Sequence, residues 1–349
     1  QSFTGGVYFL IIVAFIYLIV KVFVQGKQSL HSYSVVGLTS ILIIALSAPL
    51  ALHNYVLYPT QSQYFDKVIF STQTPFQSID ITEWKGQKWF YYNGINNFST
   101  IDEWLYYDPL VPPAMLLAEV PSNVLVIGGD NGLAIREVIK HSSVTSIYHL
   151  QIDTALYNLA KSSSLFTEIN NKSFDHKLVK SAKANIFDHL HENQSKYDVI
   201  IVDIPDPSDI ELNQYYTQEF YQLCKQSLVN KGMLITQAGS PYFATQAYYC
   251  IANTVRSINL EVLPMHNQIL TAGEWGWIVA SKDLKADELK THAKLLRFKP
   301  LNTVWLNNEA MNMMLSFGKN TVSINDSLIN TLKQPIVHSL YTTGNWDLN

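Results

Sequence analysis

The sequence predicts an α/β protein in which a doubly wound, largely parallel sheet follows a small antiparallel β-domain and an N-terminal transmembrane helical hairpin. Three observations carry this prediction. Two long apolar runs lie within residues 1–54, a stretch of β-branched and aromatic residues follows, and after Pro121 strand-like segments alternate with segments of helical spacing.

The apolar runs are "GGVYFLIIVAFIYLIVKVF" (Gly5 to Phe23) and "VVGLTSILIIALSAPLAL" (Val35 to Leu52). Each approaches the roughly 20 apolar residues that cross a bilayer. A cleavable signal peptide would show one short run behind a basic segment, whereas here a second long run follows after only "VQGKQSLHSYS". Because the chain starts at Gln1 rather than Met, residues 1–54 are expected to end a longer, multi-pass module in the cell membrane.

Residues 55–120 are expected to form the β-domain. Lys67 to Thr100 is rich in β-branched and aromatic residues, with turn signals at Lys85-Gly86 and Asn93-Gly94. Residues 121–285 form the doubly wound domain and 286–349 a C-terminal extension. Its strand candidates are "NVLVIGG", "VTSIYHLQID", "HKLVKSAKANIF", "YDVIIVDIPDP", "GMLITQAGS", "LEVLPMHNQI" and "EWGWIVAS". Helical spacing marks "AIREVIKH", "YTQEFYQLCKQSLVNKG" and "ATQAYYCIANTVRSIN", and the second is expected to stop at its glycine, Gly232.

Composition removes several function classes. A net charge of −4 with no basic stripe argues against nucleic acid. The only two cysteines, Cys224 and Cys250, sit in apolar settings and read as buried thiols rather than a disulfide framework or a zinc site. "DHLHE" (Asp188 to Glu192) places His189 and His191 two apart on a helix begun by Asn185, on different faces, so no metal site is expected there.

The chemistry concentrates at strand tips. "VIGGDNGLAIREV" (Val126 to Val138) passes from a strand through a glycine turn into a helix, delivering Gly128, Gly129, Asp130 and Asn131. The next strand ends at Gln151 and Asp153, the third leads into Asn185, and the fourth ends in "DIPDP" with Asp203 and Asp206. In a doubly wound sheet these tips face one crevice. A glycine turn alone is weak support, but polar tips on successive strands suit a nucleoside.

Taken with "VLVIGGDNGLAIREVIKH", "YDVIIVDIPDPSD", "YYTQEFYQLCKQSLVNKG", "TQAGSPYFATQAYYC" and "GEWGWIVAS", the sequence resembles the polyamine aminopropyltransferases (spermidine synthases), above all their bacterial membrane-attached branch. The likeness runs from about Tyr64 to Ser281 and includes "DKVIFSTQTPFQSI" and "DEWLYYDPLVPPAM". It implies a Rossmann-like, methyltransferase-type sheet. It also implies transfer of an aminopropyl group from decarboxylated S-adenosylmethionine, a co-substrate rather than a tightly bound cofactor, to a diamine such as putrescine. The products would be spermidine and methylthioadenosine, and the resemblance also allows a homodimer.

By the same resemblance Asp203 takes the amine's proton and Asp206 holds the substrate ammonium, with Tyr106, Tyr107, Gln237 and Trp275 lining the polyamine channel. On the donor side it places Gln77 and Asn97 near the methylthioadenosine part, Gln151 on the ribose, Asn185 with Ile186 at the adenine edge, and Asn131 at the aminopropyl end, cradled by Gly128, Gly129 and Asp130.

The sequence departs from the family in one direction. Asn131, Gln151 and Asn185 stand where carboxylates are usual, Asn97 where Gln is usual, Tyr107 where His or Gln is usual, and Asp130 where glycine is usual. An amide still accepts from a ribose hydroxyl, but loss of charge at Asn131 weakens attraction for the donor's ammonium. Asp130 either supplies that charge or crowds the turn. Two alternatives therefore stand beside aminopropyl transfer: a catalytically impaired binding or regulatory homologue, and an S-adenosylmethionine-dependent methyltransferase.

Overall fold

The structure is a computed structural model that describes residues 60–192, 195–318 and 327–346. The expected hairpin at residues 1–54 lies outside the described residues; among those described, no helix is long and apolar enough to cross a membrane.

A four-stranded sheet has the order β1 (Lys67–Gln73), β2 (Ser78–Trp84), β3 (Gln87–Tyr92), β4 (Ile95–Ser99). Both expected turns are present. Lys85 and Gly86 (φ 51° and 79°) and Asn93 and Gly94 (φ 51° and 77°) adopt the left-handed pairs that two-residue hairpins require. The described residues divide into two units, 60–71 with 82–84 and 72–81 with those from 85 onward. In the first, the Gln61 amide closes a turn, donating to the Asp66 carbonyl at 2.8 Å and accepting from the Val68 N–H at 2.9 Å. Every site described below belongs to the second.

The large sheet comprises β5 (Asn123–Gly128), β6 (Ser146–Gln151), β7 (Val179–Lys183), β8 (Tyr197–Asp203), β9 (Leu228–Gly239), β10 (Glu261–Ile269) and β11 (Gly273–Ser281). Its order is β10-β11-β9-β8-β5-β6-β7, and only β11 runs against the others. Chain order reverses between β5 and β8, where a doubly wound sheet opens its crevice. Gly128 is paired with Asp203 at that point, so the glycine turn and the aspartate loop share one mouth. Val124 to Ile127 and Val199 to Val202 are wholly buried, as central strands covered on both faces require.

The helices are α1 (Trp104–Leu110), α2 (Pro112–Leu117), α3 (Leu133–Ile139), α4 (Thr154–Ser162), α5 (Ser164–Thr167), α6 (Ile186–Glu192), α7 (Gln218–Ser227), α8 (Thr245–Ser257), α9 (Ala286–Leu295), α10 (Asn308–Met314) and α11 (Val337–Thr342). Helix α7 corrects the expectation of a stop at Gly232. It ends at Ser227, and Leu228 is already extended and paired with Tyr197 of β8, so Gly232 lies inside β9. Burial of Leu228 against the sheet outweighs the helical spacing that continues through it. Cys224 and Cys250 are free and buried in the core, and burial pushes the Cys250 thiol up to about 12.

Helix α1 carries Tyr106 and Tyr107 and is held from several sides. Asp102, just before it, accepts from the Thr271 N–H at 2.8 Å, and Asn267 donates to the Leu105 carbonyl at 2.9 Å. Asp108 accepts from the Trp305 and Leu306 N–H groups at 2.9 and 3.2 Å. Arg136 on α3 makes a two-toothed pair with Glu103 at 2.8 and 2.7 Å and a third bond to buried Glu137 at 2.8 Å. Such planar, charge-assisted bonds fix direction as well as distance, so the tyrosines reach the mouth on a rigid mount.

Candidate active site

The glycine turn lies flat against the end of β8. Gly128 and Gly129 have φ of 74° and 65°, and the Gly129 N–H donates to the Asp203 carbonyl at 2.7 Å. A Cβ on Gly128 would overlap that carbonyl oxygen, so close approach as well as dihedral angle calls for glycine here.

Asp130 turns away from the mouth. Its Oδ2 accepts from the Ile152 and Asp153 N–H groups at 3.0 and 2.7 Å, tying the turn to the tip of β6. Its Oδ1 lies 3.3 Å from Nε2 of buried His149, which also stands 2.9 Å from the Gly128 carbonyl. Asp130 is therefore tied to the tip of β6 through Oδ2, while its buried Oδ1 has no hydrogen-bond partner. Asn131 is also engaged: Oδ1 accepts from the Leu133 N–H at 3.0 Å across the turn before α3, and Nδ2 donates to the Tyr107 hydroxyl at 2.8 Å.

At the tip of β6, Asp153 caps α4 through Oδ1, accepting from Ala155 and Leu156 at 3.0 and 3.1 Å. Its Oδ2 accepts from Thr74 at 2.8 Å and from the Gln77 amide at 3.2 Å, which brings Gln77 to the tip. Beside them, Gln151 presents a buried Oε1 with no hydrogen-bond partner, an acceptor open to a ligand hydroxyl. Tyr92, not singled out from the sequence, is buried within this group. Burial and then the charges of Asp130, Asp203 and Asp153 push its phenol far above its ordinary range. The Tyr92 phenol thus lies within reach of three carboxylates.

Asp203 ends β8 with its two oxygens in different states. Oδ1 accepts from the Tyr106 hydroxyl at 3.0 Å, whereas Oδ2 is buried without a partner, 3.0 Å from where a Cβ on Gly129 would stand. Burial pushes the carboxyl up to about 7; the Tyr106 bond opposes this, and the charge of Asp130 adds to it. Tyr106 is itself wedged edge-on against Tyr107 and Trp277, at 4.9 and 5.4 Å between ring centres.

Asp206 accepts from the Tyr341 hydroxyl at 2.8 Å, and burial holds it up at about 6 against the bonds from Tyr341 and Gln237. Gln237 also braces the loop, donating to the Ile204 carbonyl at 2.9 Å and to the Tyr216 hydroxyl, while Tyr216 donates to the Pro205 carbonyl at 2.9 Å. Trp275 on β11 has a buried indole N–H without a partner.

Three expected residues stand apart from this hydrogen-bonded group. Asn97 is exposed because β4 carries a bulge: Phe90 pairs with Phe98 and Tyr91 with Asn96, so Asn97 is the extra residue. The inward amide is Asn96, which donates to the Thr271 carbonyl at 3.0 Å and keeps a buried, unpartnered Oδ1. Asn185 is exposed and caps α6, its Oδ1 accepting from Phe187 and Asp188 at 3.0 and 3.3 Å. Ile186 is part of the hydrophobic core. Tyr341 was also invisible in the sequence, since no periodicity or motif links it to Asp206.

Residues 103–291 match the family described as spermine/spermidine synthase domain. A polyamine aminopropyltransferase from Leptospira interrogans is 36% identical over 225 residues, covering 64% of this chain and 45% of that protein. One from Oceanobacillus iheyensis is 34% identical over 262 residues, covering 74% and 49%. The chain thus spans about half the length of these relatives. The fold is similar to that of spermidine synthase from Thermotoga maritima, with a TM-score of 0.62 and 24% identity over 72% of this chain and 85% of the other. A spermidine synthase solved with the transition state analogue AdoDATO gives the same values, a TM-score of 0.62 at 24% identity with 72% and 85% coverage. With more than half of its length inside that match, and with its sheet reversing where Gly128 meets Asp203, the chain belongs to the spermine/spermidine synthase domain family.

Proposed function

We propose that this chain transfers the aminopropyl group of decarboxylated S-adenosylmethionine to a diamine such as putrescine, giving spermidine and methylthioadenosine. The amine nitrogen attacks the methylene carbon next to the sulfonium, the C–S bond breaks with its electrons passing to sulfur, and the amine's proton passes to Asp203 Oδ2. The observation that carries the reading is that buried, unpartnered oxygen on a carboxyl raised to about 7. An aliphatic amine has a pKa of about 10, so freeing its lone pair at pH 7 costs about 4 kcal/mol. A carboxylate near 7 is a better proton acceptor for that task than one near its ordinary value.

The three carboxylates around Tyr92 support a cationic donor. Intact S-adenosylmethionine adds a carboxylate that this field repels, which weighs against methyl transfer. The partnerless Oε1 of Gln151 supports a working ribose contact and weighs against an impaired homologue.

Titration calorimetry with both donors, followed by turnover with putrescine, tests this. Decarboxylated S-adenosylmethionine should bind more tightly, and Asp203→Asn should slow turnover by roughly 10²-fold or more. Tighter binding of the intact donor would favour the methyltransferase, and donor binding without turnover the impaired homologue.

The apolar runs within residues 1–54 support attachment to the cell membrane, with the catalytic portion facing the cytoplasm where the donor is made and Gly26 to Ser32 outside. Lys21 and Lys27 near that outer turn run against the positive-inside tendency, but two lysines weigh less than access to the donor. An impermeant thiol reagent should label Lys27→Cys in intact cells; protection would reverse the orientation.

A further inference from the structure

The C-terminal arm, residues 327–346, lies beyond the matched segment and is buckled onto the Asp206 loop through two buried amides. Asn330 donates to the Tyr216 carbonyl at 3.0 Å and accepts from the Val337 N–H at 3.2 Å. Asn213 accepts from the His338 N–H at 3.0 Å, and His338 Nδ1 lies 2.9 Å from the Pro207 carbonyl. Farther on, the Asn345 N–H donates to the Phe243 carbonyl at 2.7 Å, which ties the arm to the loop after β9 as well.

These anchors aim two aromatic residues at the acceptor end. Tyr341 donates to Asp206 Oδ2 at 2.8 Å, and the edge of its ring fills the space beside Gly239. Trp346 donates its indole N–H to the Tyr341 carbonyl at 2.7 Å and packs on that ring at 4.7 Å. It also neighbours Phe243 and Trp275, at 6.0 and 6.4 Å between ring centres. The indole N–H of Trp275 is buried there without a partner and can take one from a bound molecule.

We propose that Val337 to Trp346 forms the end wall of the amine-acceptor site, with Tyr341 as a positioning residue for Asp206 and Trp346 with Trp275 limiting the acceptor to a short diamine. The inference rests on the aminopropyl-transfer reading, in which Asp206 holds the acceptor's far ammonium. Aromatic faces suit that ammonium and the methylenes before it. An amine longer by one aminopropyl unit would have to displace Tyr341 and Trp346. Asp206 holds the ammonium only when ionised, and the Tyr341 bond favours that form.

The test compares the full chain with its Tyr341→Phe and Trp346→Ala variants, using putrescine and spermidine as acceptors in turnover and in direct titration calorimetry. The unaltered chain should prefer putrescine, and Trp346→Ala should shift the spermidine-to-putrescine ratio of kcat/KM, and of affinity, by roughly tenfold toward spermidine. Tyr341→Phe should act on the KM for putrescine rather than on kcat, by roughly tenfold, the usual effect of losing a hydrogen bond to a charge. It should also move the pH at which KM begins to rise on acidification to a higher value. Trp346→Phe, which keeps an aromatic wall, should lie between the parent and Trp346→Ala. An unchanged acceptor ratio in both Trp346 variants, or an unchanged KM and pH profile in Tyr341→Phe, overturns the proposal. Calorimetry reads the wall without turnover, so a chain that binds putrescine over spermidine yet transfers nothing would refute the activity while upholding the wall.

Discussion

The Tyr106 hydroxyl donates to Asp203 Oδ1 at 3.0 Å while Oδ2 of the same carboxylate is buried with no partner. One oxygen is committed to positioning and the other is left open for a proton. Tyr106→Phe removes a bond that favours the ionised form, so the Asp203 pKa should rise from about 7. Because Asp203 works as a base when ionised, kcat/KM falls on acidification through that value, and this limb should move to higher pH in the variant. A pH profile of kcat/KM checks it; an unmoved limb would show that another group sets it.

Asp203 should also shape stability against pH. Its carboxyl is raised to about 7 in the fold, so between its unfolded value, about 4, and 7 the folded state binds the extra proton. The stability that this group contributes is full below the unfolded value and lost as pH rises through 7. Asp203→Asn carries no such loss. The Tm of the variant minus that of the parent should therefore increase from pH 4 to pH 8, and a difference independent of pH would refute the assignment.

Asn131→Asp should retain the bond from the Leu133 N–H, because an aspartate oxygen accepts across such a turn as an asparagine oxygen does, and can accept from Tyr107 in place of donating to it. The added charge should tighten decarboxylated S-adenosylmethionine and weaken the intact form. A charge-assisted bond of about 1.5–3 kcal/mol corresponds to a preference shifted by roughly tenfold or more. Calorimetry with both donors checks it, and equal affinities in parent and variant would mean that position 131 does not contact the donor's amine.

Arg136 neutralises Glu103 and buried Glu137 and also donates to the Ile169 carbonyl at 2.8 Å. Arg136→Met would fill the space and leave both carboxylates without that cation. Breaking a buried pair by removing one partner costs about 3–5 kcal/mol, so denaturant unfolding should show a loss of that order. A loss under about 1 kcal/mol would place the network with ordinary surface pairs.

Features set by neighbours along the chain are legible in the residues alone. Alternation produced the small sheet, the turns at Lys85-Gly86 and Asn93-Gly94 produced its hairpins, and apolar runs ending in polar tips delivered Gly128 and Asp203 to one mouth. Side-chain period and backbone dihedral preference are local properties and can be read without the fold. Features set by distant partners emerge only in the packed fold. A single bulge exposes Asn97 and turns Asn96 inward, since one extra residue exchanges the faces of a strand. Asp130 turns one oxygen toward the β6 backbone because two N–H groups there would otherwise lack an acceptor. Asp206 finds Tyr341 on an arm 135 residues away, and no local pattern encodes a contact made only when two distant segments pack together.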